Sequence, residues 1–175
     1  MKKISFLVII FTVFMTLSSA GFAQSDTSFY NTAKDAVATG DKDYAFMCFR
    51  SLLKLTHESR YHKEALFATG EYYYSIGDYR SADKAFSSFI DAYPKDEALP
   101  YSIVYLLKLS KQMQISKTIE DLRKQVITFK QLSLLFSEFK ELSFISPLNL
   151  HYKAIYFIDR IEIYINEALF EKIYF

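Results

Sequence analysis

Apolar residues recur three and four positions apart from Ala65 to Ile76 and again from Tyr79 to Tyr93, the period of a helix with one buried face. Between the two runs stand Gly77 and Asp78. A glycine just past a helix takes the left-handed C′ conformation without a β-carbon clash, and an aspartate can cap the next helix. Pro94 closes the second run, where a helix cannot continue. The same punctuation occurs earlier in the chain. Gly40, Asp41, Ala45, Phe49 and His57 align with Gly77, Asp78, Ala82, Phe86 and Pro94, an offset of 37 residues. A fixed period of that size predicts stacked helical hairpins, each leaving an apolar face wet until a neighbour covers it. Gly70 lies inside a helical run, where it costs about 1 kcal/mol relative to alanine. A close approach to Ala82, with Phe86 filling the space beside them, supplies the compensating reason.

Beyond Pro94 the pattern weakens. A third unit from Pro100 would place Leu107, Ile119 and Arg123 at the small and aromatic positions, so it is either a decayed repeat or a cap. Ile119, Leu122, Val126, Phe129, Leu132, Phe136 and Phe139 predict one long helix from Ser116 to Leu142, broken by Pro147. The remainder is rich in isoleucine and aromatic residues. Ile161, Ile163 and Ile165 alternate with Glu162, Tyr164 and Asn166, predicting strands over Ala154–Ile165 and Leu169–Tyr174 with Asn166 and Glu167 in the turn. A helical face through Ile158, Ile161, Ile165 and Leu169 is the rival. An isolated hairpin is only marginally stable in water, so this one is expected to pack on the helices, to pair with another chain, or to belong to a longer protein. Counting back by twos from Phe175 meets Glu171 and Glu167, which argues against the last strand of a membrane barrel.

The N-terminus has its own pattern. Lys2 and Lys3 precede an apolar stretch from Ile4 to Leu17, and Gly21 and Ala23 supply the small residues of a signal-peptide cleavage site before Gln24. The apolar stretch is shorter than the roughly 20 residues that span a bilayer. Residues 1–23 are therefore expected to be removed, leaving an exported chain, expected in the periplasm, with no stable membrane span. Loss of Lys2 and Lys3 would turn the formal charge from +1 to −1, which excludes steering toward nucleic acid or anionic lipid. No cysteine stands at the processing site of a lipoprotein. The one cysteine, Cys48, sits among Phe46, Met47 and Phe49 and reads as a buried, inert thiol.

Catalytic patterns are missing from the sequence. His57 and His62 are five apart, roughly 140° around a helix, whereas the zinc-hydrolase motif needs four. His151 has no companion ligand, and none of the four glycines begins a phosphate-binding loop. Asp35, Asp41, Asp43 and Asp78 fall near helix ends, as caps or dipole partners. Asp159, Glu162, Glu167 and Glu171 read as the solvated side of the hairpin. No cofactor, no metal and no enzymatic activity are expected.

Residues 63–96 resemble a tetratricopeptide repeat through Gly70, Tyr73, Gly77, Ala82, Phe86 and Pro94, and the phrase "GEYYYSIGDYRSADKAFSSFIDAYP" is similar to repeats of bacterial envelope proteins of the outer-membrane assembly lipoprotein and Tol-Pal-associated types. Residues 26–59 match less fully, with Ala33, Ala36 and His57 where the family favours glycine, tyrosine and proline. The resemblance implies a mainly α fold, an antiparallel helix-hairpin, right-handed stack with units 26–59 and 63–96; a degenerate third unit or capping helices over 97–145 would extend the helical domain to 26–145, and the residue pattern, not the resemblance, makes the C-terminal extension, 146–175, the β-hairpin. The resemblance implies packing positions at Gly40, Ala45, Phe49, Gly70, Tyr73, Gly77, Ala82, Phe86 and Pro94. It also implies a concave groove lined by Tyr30, Lys34, Phe67, Glu71, Tyr74, Tyr101 and Lys108. The expected role is a non-enzymatic adaptor for a protein or peptide of the cell envelope. The alternative is a structural protein that self-associates through an open strand edge.

Overall fold

The computed structural model describes residues 25–55, 59–113, 116–136 and 140–175. The expected signal peptide and cleavage site, His57 and Phe139 lie outside the described residues. Six helices come first: α1 (Asp26–Thr39), α2 (Lys42–Leu55), α3 (His62–Ser75), α4 (Tyr79–Ala92), α5 (Leu99–Gln112) and α6 (Ser116–Phe136). Four strands follow: β1 (Glu141–Ile145), β2 (His151–Tyr156), β3 (Arg160–Ile165) and β4 (Ala168–Tyr174).

The first two helix pairs are joined by the same turn. Gly40 and Gly77 are left-handed, at φ 83° and 79°. Their N–H groups bond to Val37 O and Tyr74 O, while Asp41 N and Asp78 N reach Ala36 O and Tyr73 O. This is the Schellman pattern, and it satisfies carbonyls that the helix end would leave open. Asp41 Oδ1 then accepts from Tyr44 N at 3.0 Å and Asp78 Oδ1 from Ser81 N at 3.2 Å, capping α2 and α4. The packing positions are filled as small against large: Ala45, Phe49, Ala82 and Phe86 are fully buried. The Phe86 ring lies so close over Gly70 that a β-carbon there would stand 2.8 Å from its Cζ. Tyr73 is half-buried, with its ring edge-on to Phe46, and the exposed Pro94 follows the α4 C-cap Tyr93. Helices α5 and α6 complete a third pair, with Pro100 in the first turn of α5, where a missing N–H costs nothing.

The C-terminal region is larger than the expected hairpin: one antiparallel sheet in the order β1-β2-β3-β4. The expected strand Ala154–Ile165 is two strands, because the chain turns through Phe157, Ile158 and Asp159, where Phe157 N bonds to Arg160 O and Ile158 is fully exposed. The Asn166–Glu167 turn falls where expected, both residues at positive φ, the geometry that matches strand twist in a two-residue hairpin. Glu141 and Leu142, expected at the end of the long helix, instead open β1. The rival helix through Ile158 and Leu169 is replaced by strands.

The sheet has one apolar face. Its inner rows are Leu142–Ala154–Ile163, Phe144–Tyr152–Ile165 and Tyr156–Ile161–Ile173. These residues join Phe67, Phe86, Tyr101, Tyr105 and Val126 in one continuous core, while a second core of Ala33, Ala36, Ala45, Phe49, Leu52, Ala65 and Ala68 binds α1 and α2 to α3.

Candidate functional site

The helices α1, α3 and α5 present one common side of the stack, where the seven groove residues were expected. Five of them lie against the chain's own sheet. Phe67 is 1% exposed and meets Phe144 and Tyr152 edge-on at 5.2 and 5.8 Å between ring centroids. Tyr101, also buried, stacks on Phe144 and donates from its hydroxyl to Leu142 O at 2.9 Å. Burial raises the Tyr101 phenol above its ordinary range. Tyr74 packs edge-on to Tyr105 at 4.8 Å and also meets Phe170. Lys108 lies over the Phe170 ring, donates to Phe170 O at 2.7 Å, and shares Glu171 with Lys111. So this expected groove lysine is engaged by β4.

Glu71 is the most unusual of the five. It is 3% exposed, and its Oε1 accepts from the Tyr152 hydroxyl at 2.5 Å. That hydroxyl also lies 2.7 Å from the Tyr105 hydroxyl. Burial pushes the Glu71 carboxyl up from 4.5 to about 8, against the opposing effect of the Tyr152 and Ser146 hydroxyls and the distant Lys42. Oε2 has no donor in hydrogen-bonding geometry. A protonated acid is the form this pocket favours, because an anion in low dielectric with an unpartnered oxygen is costly. Sequence reasoning placed Glu71 on a wet groove wall, and no local signal marks it as buried.

Tyr30 and Lys34 are the two groove residues beyond the sheet's main contacts. Tyr30 is half-buried and stacked on Tyr61, with ring centroids 4.0 Å apart and planes within 8°; Lys34 is exposed. Together with Lys63, Glu64, Phe89 and Glu97 they border a cavity of about 350 Å³, closed on one side by Phe144–Pro147 of the sheet. Lys63 is held by Asp96 at 3.0 Å. The cavity mixes aromatic walls with charges of both signs, so it offers contact area and hydrogen bonding. His62 is no zinc ligand candidate by surroundings: it is nearly buried, with Nδ1 2.9 Å from the Tyr93 hydroxyl. Among the described residues, no group of three or more His, Cys, Asp or Glu is placed to hold a metal ion.

Paired antiparallel helices, small-on-large packing and repeated Schellman turns define a tetratricopeptide-type stack, here packed against a C-terminal sheet. The model of the YfiO family, described as outer membrane lipoprotein, matches residues 22–155, and the chain belongs to that family. The match runs through the three helix pairs and into β2. No curated protein matches the chain. No helix among the described residues is long and apolar enough to cross a membrane.

Proposed function

We propose that this chain is an exported, non-enzymatic adaptor of the bacterial cell envelope, periplasmic after removal of its leader, which docks a protein or peptide on the concave side of its helical stack. Membership of an outer-membrane family together with the helix-pair stack carries this reading. The sole cysteine, Cys48, is 5% exposed within α2, so the reading gives this chain no lipid on that thiol. The part of the groove open to a partner is the Tyr30–Lys34 end. Tyrosine there provides a large, fairly rigid contact with a polar tip, and Lys34 and Glu97 at the rim provide selection by charge. A photo-crosslinker at position 34, compared with one at the exposed Arg80 of α4, tests it in envelope preparations. The expected result is a discrete adduct from position 34 that Tyr30→Ala weakens. Equal labelling from both positions would overturn it.

A second reading rests on one observation. The bonds Tyr156 N to Lys140 O and Ser146 N to Leu150 O set the β1–β2 register, so the backbone groups of Glu141, Ser143 and Ile145 point away from β2. All three residues are exposed. By contrast, Lys108 and Arg123 donate to the carbonyls of Phe170 and Tyr174 on β4. Edge β1 is therefore the place where two copies of the chain would pair.

A further inference from the structure

Among the described residues the four strands pair only with one another, and the helices hold the sheet by side-chain packing and by side chains that donate to its carbonyls at Leu142, Phe170 and Tyr174. Its ladder is complete without them. The α1–α2–α3 core is likewise nearly complete without the sheet, which contributes Leu148 alone. At the centre of the interface, where an apolar residue would pack without a desolvation cost, the chain places a carboxyl group. We propose that the C-terminal sheet is an autoinhibitory occupant of the concave face, latched to α3 and α5 by the hydrogen-bond chain Glu71–Tyr152–Tyr105 and able to leave as a body while the α1–α2–α3 core stays folded. The inference rests on the adaptor reading only for its purpose; the motion itself needs no partner.

The latch works through the proton on Glu71. Closed, Oε1 accepts from Tyr152, and neutrality of the acid avoids an anion beside the two tyrosine hydroxyls. The groups that face Glu71 are Tyr152 of β2, Tyr105 of α5, Ser146 of the β1–β2 turn and, at longer range, Lys42 of α2. Lys42 alone carries a charge, and it is exposed, so it compensates the anion weakly. Opening hydrates the carboxyl and returns it toward 4.5. The closed state then binds the proton more tightly than the open one, so closure is strongest below about 4.5. It weakens about tenfold in equilibrium constant for each pH unit up to about 8, and then levels off. Ion pairs at the rim, Lys108 and Lys111 with Glu171, add further contacts between α5 and β4.

Hydrogen exchange of the full chain, read by mass spectrometry at pH 5, 6, 7 and 8 and corrected for intrinsic rates, tests the proposal without any partner. Amides of β1–β4 are expected to open more often at higher pH, about tenfold per unit, while amides of α1 and α2 keep their protection. Glu71→Gln keeps the acceptor for Tyr152 but cannot ionise, and its sheet protection is expected to be flat with pH. A wild-type slope in Glu71→Gln would overturn the latch. Sheet amides that exchange only in step with those of α1 and α2 would overturn the release. Failure of the position-34 crosslink would count against the adaptor reading alone.

Discussion

Substituting Gly70 by alanine sets two effects of opposite sign against each other. In an exposed helix interior the change stabilises by about 1 kcal/mol, because alanine loses less backbone entropy. At Gly70 the new β-carbon would stand 2.8, 2.9 and 3.0 Å from Cζ, Cε1 and Cε2 of Phe86, the first two closer than real β-carbon contacts come. Phe86 has little room to retreat: its ring stacks on Tyr105 at 4.4 Å and meets Phe67 edge-on at 5.6 Å, and it is fully buried. Overpacking of a core by one methyl costs about 1 to 3 kcal/mol. Gly70→Ala should therefore destabilise by up to about 2 kcal/mol net, despite improved helix propensity. Urea denaturation followed by circular dichroism measures it. A double variant with Phe86→Leu isolates the clash: alanine at position 70 should be better tolerated in the Phe86→Leu background than in the wild type. A stabilisation of about 1 kcal/mol by Gly70→Ala alone would refute the close contact and leave Gly70 as an ordinary, poor helix residue.

Other parts of the structure make equally direct claims. Gly77→Ala meets no neighbour within 4 Å, yet it should cost about 1 to 2 kcal/mol through its φ of 79°, measured in the same denaturation assay. Glu162 accepts hydrogen bonds from the Tyr164 hydroxyl and Arg160 and an ion pair from Lys172, which hold its carboxyl down to about 2. Its contribution is present above about 4.5 and lost as the pH falls toward 2, so acid denaturation curves of Glu162→Gln should lack that component. Burial raises the Cys48 thiol and hides it, so a thiol reagent should label the folded chain slowly and the denatured chain at once. If copies pair through β1, Ser143→Pro should abolish the dimer seen by light scattering while leaving the sheet intact, because the lost N–H points away from β2.

How the sequence announced this fold differs along the chain. The turns at Gly40–Asp41 and Gly77–Asp78 were legible because their chemistry is local: a left-handed residue and a capping carboxylate are needed wherever one helix stops and another starts. Close packing at Gly70 was legible because a costly glycine demands a nearby partner, but the partner expected was Ala82 with Phe86 beside it, whereas the Phe86 ring itself lies over Gly70. The turn that divides β2 from β3 left a signal that was missed. Buried positions run Tyr152, Ala154, Tyr156 and then Ile161, Ile163, so the alternation changes phase between 156 and 161, which a single uninterrupted strand does not permit. Strand β1 was hidden because Leu142 extends the helical spacing of the residues before it, and five residues carry too little pattern to choose between the two periods.

The residue pattern carried the helix pairs and the small-on-aromatic packing within them, and with the repeat resemblance it gathered the expected groove residues on one side of the stack. It could not determine what covers that side. Phe67, Glu71, Tyr74, Tyr101 and Lys108 carry the same local pattern whether they face solvent, a partner or the chain's own sheet. Only the tertiary structure decided that they face the sheet, because a contact between residues such as Glu71 and Tyr152, 81 positions apart, depends on how the chain closes on itself. The shifted proton affinity of Glu71 follows from that closure, since desolvation is a property of the assembled surroundings and not of the glutamate.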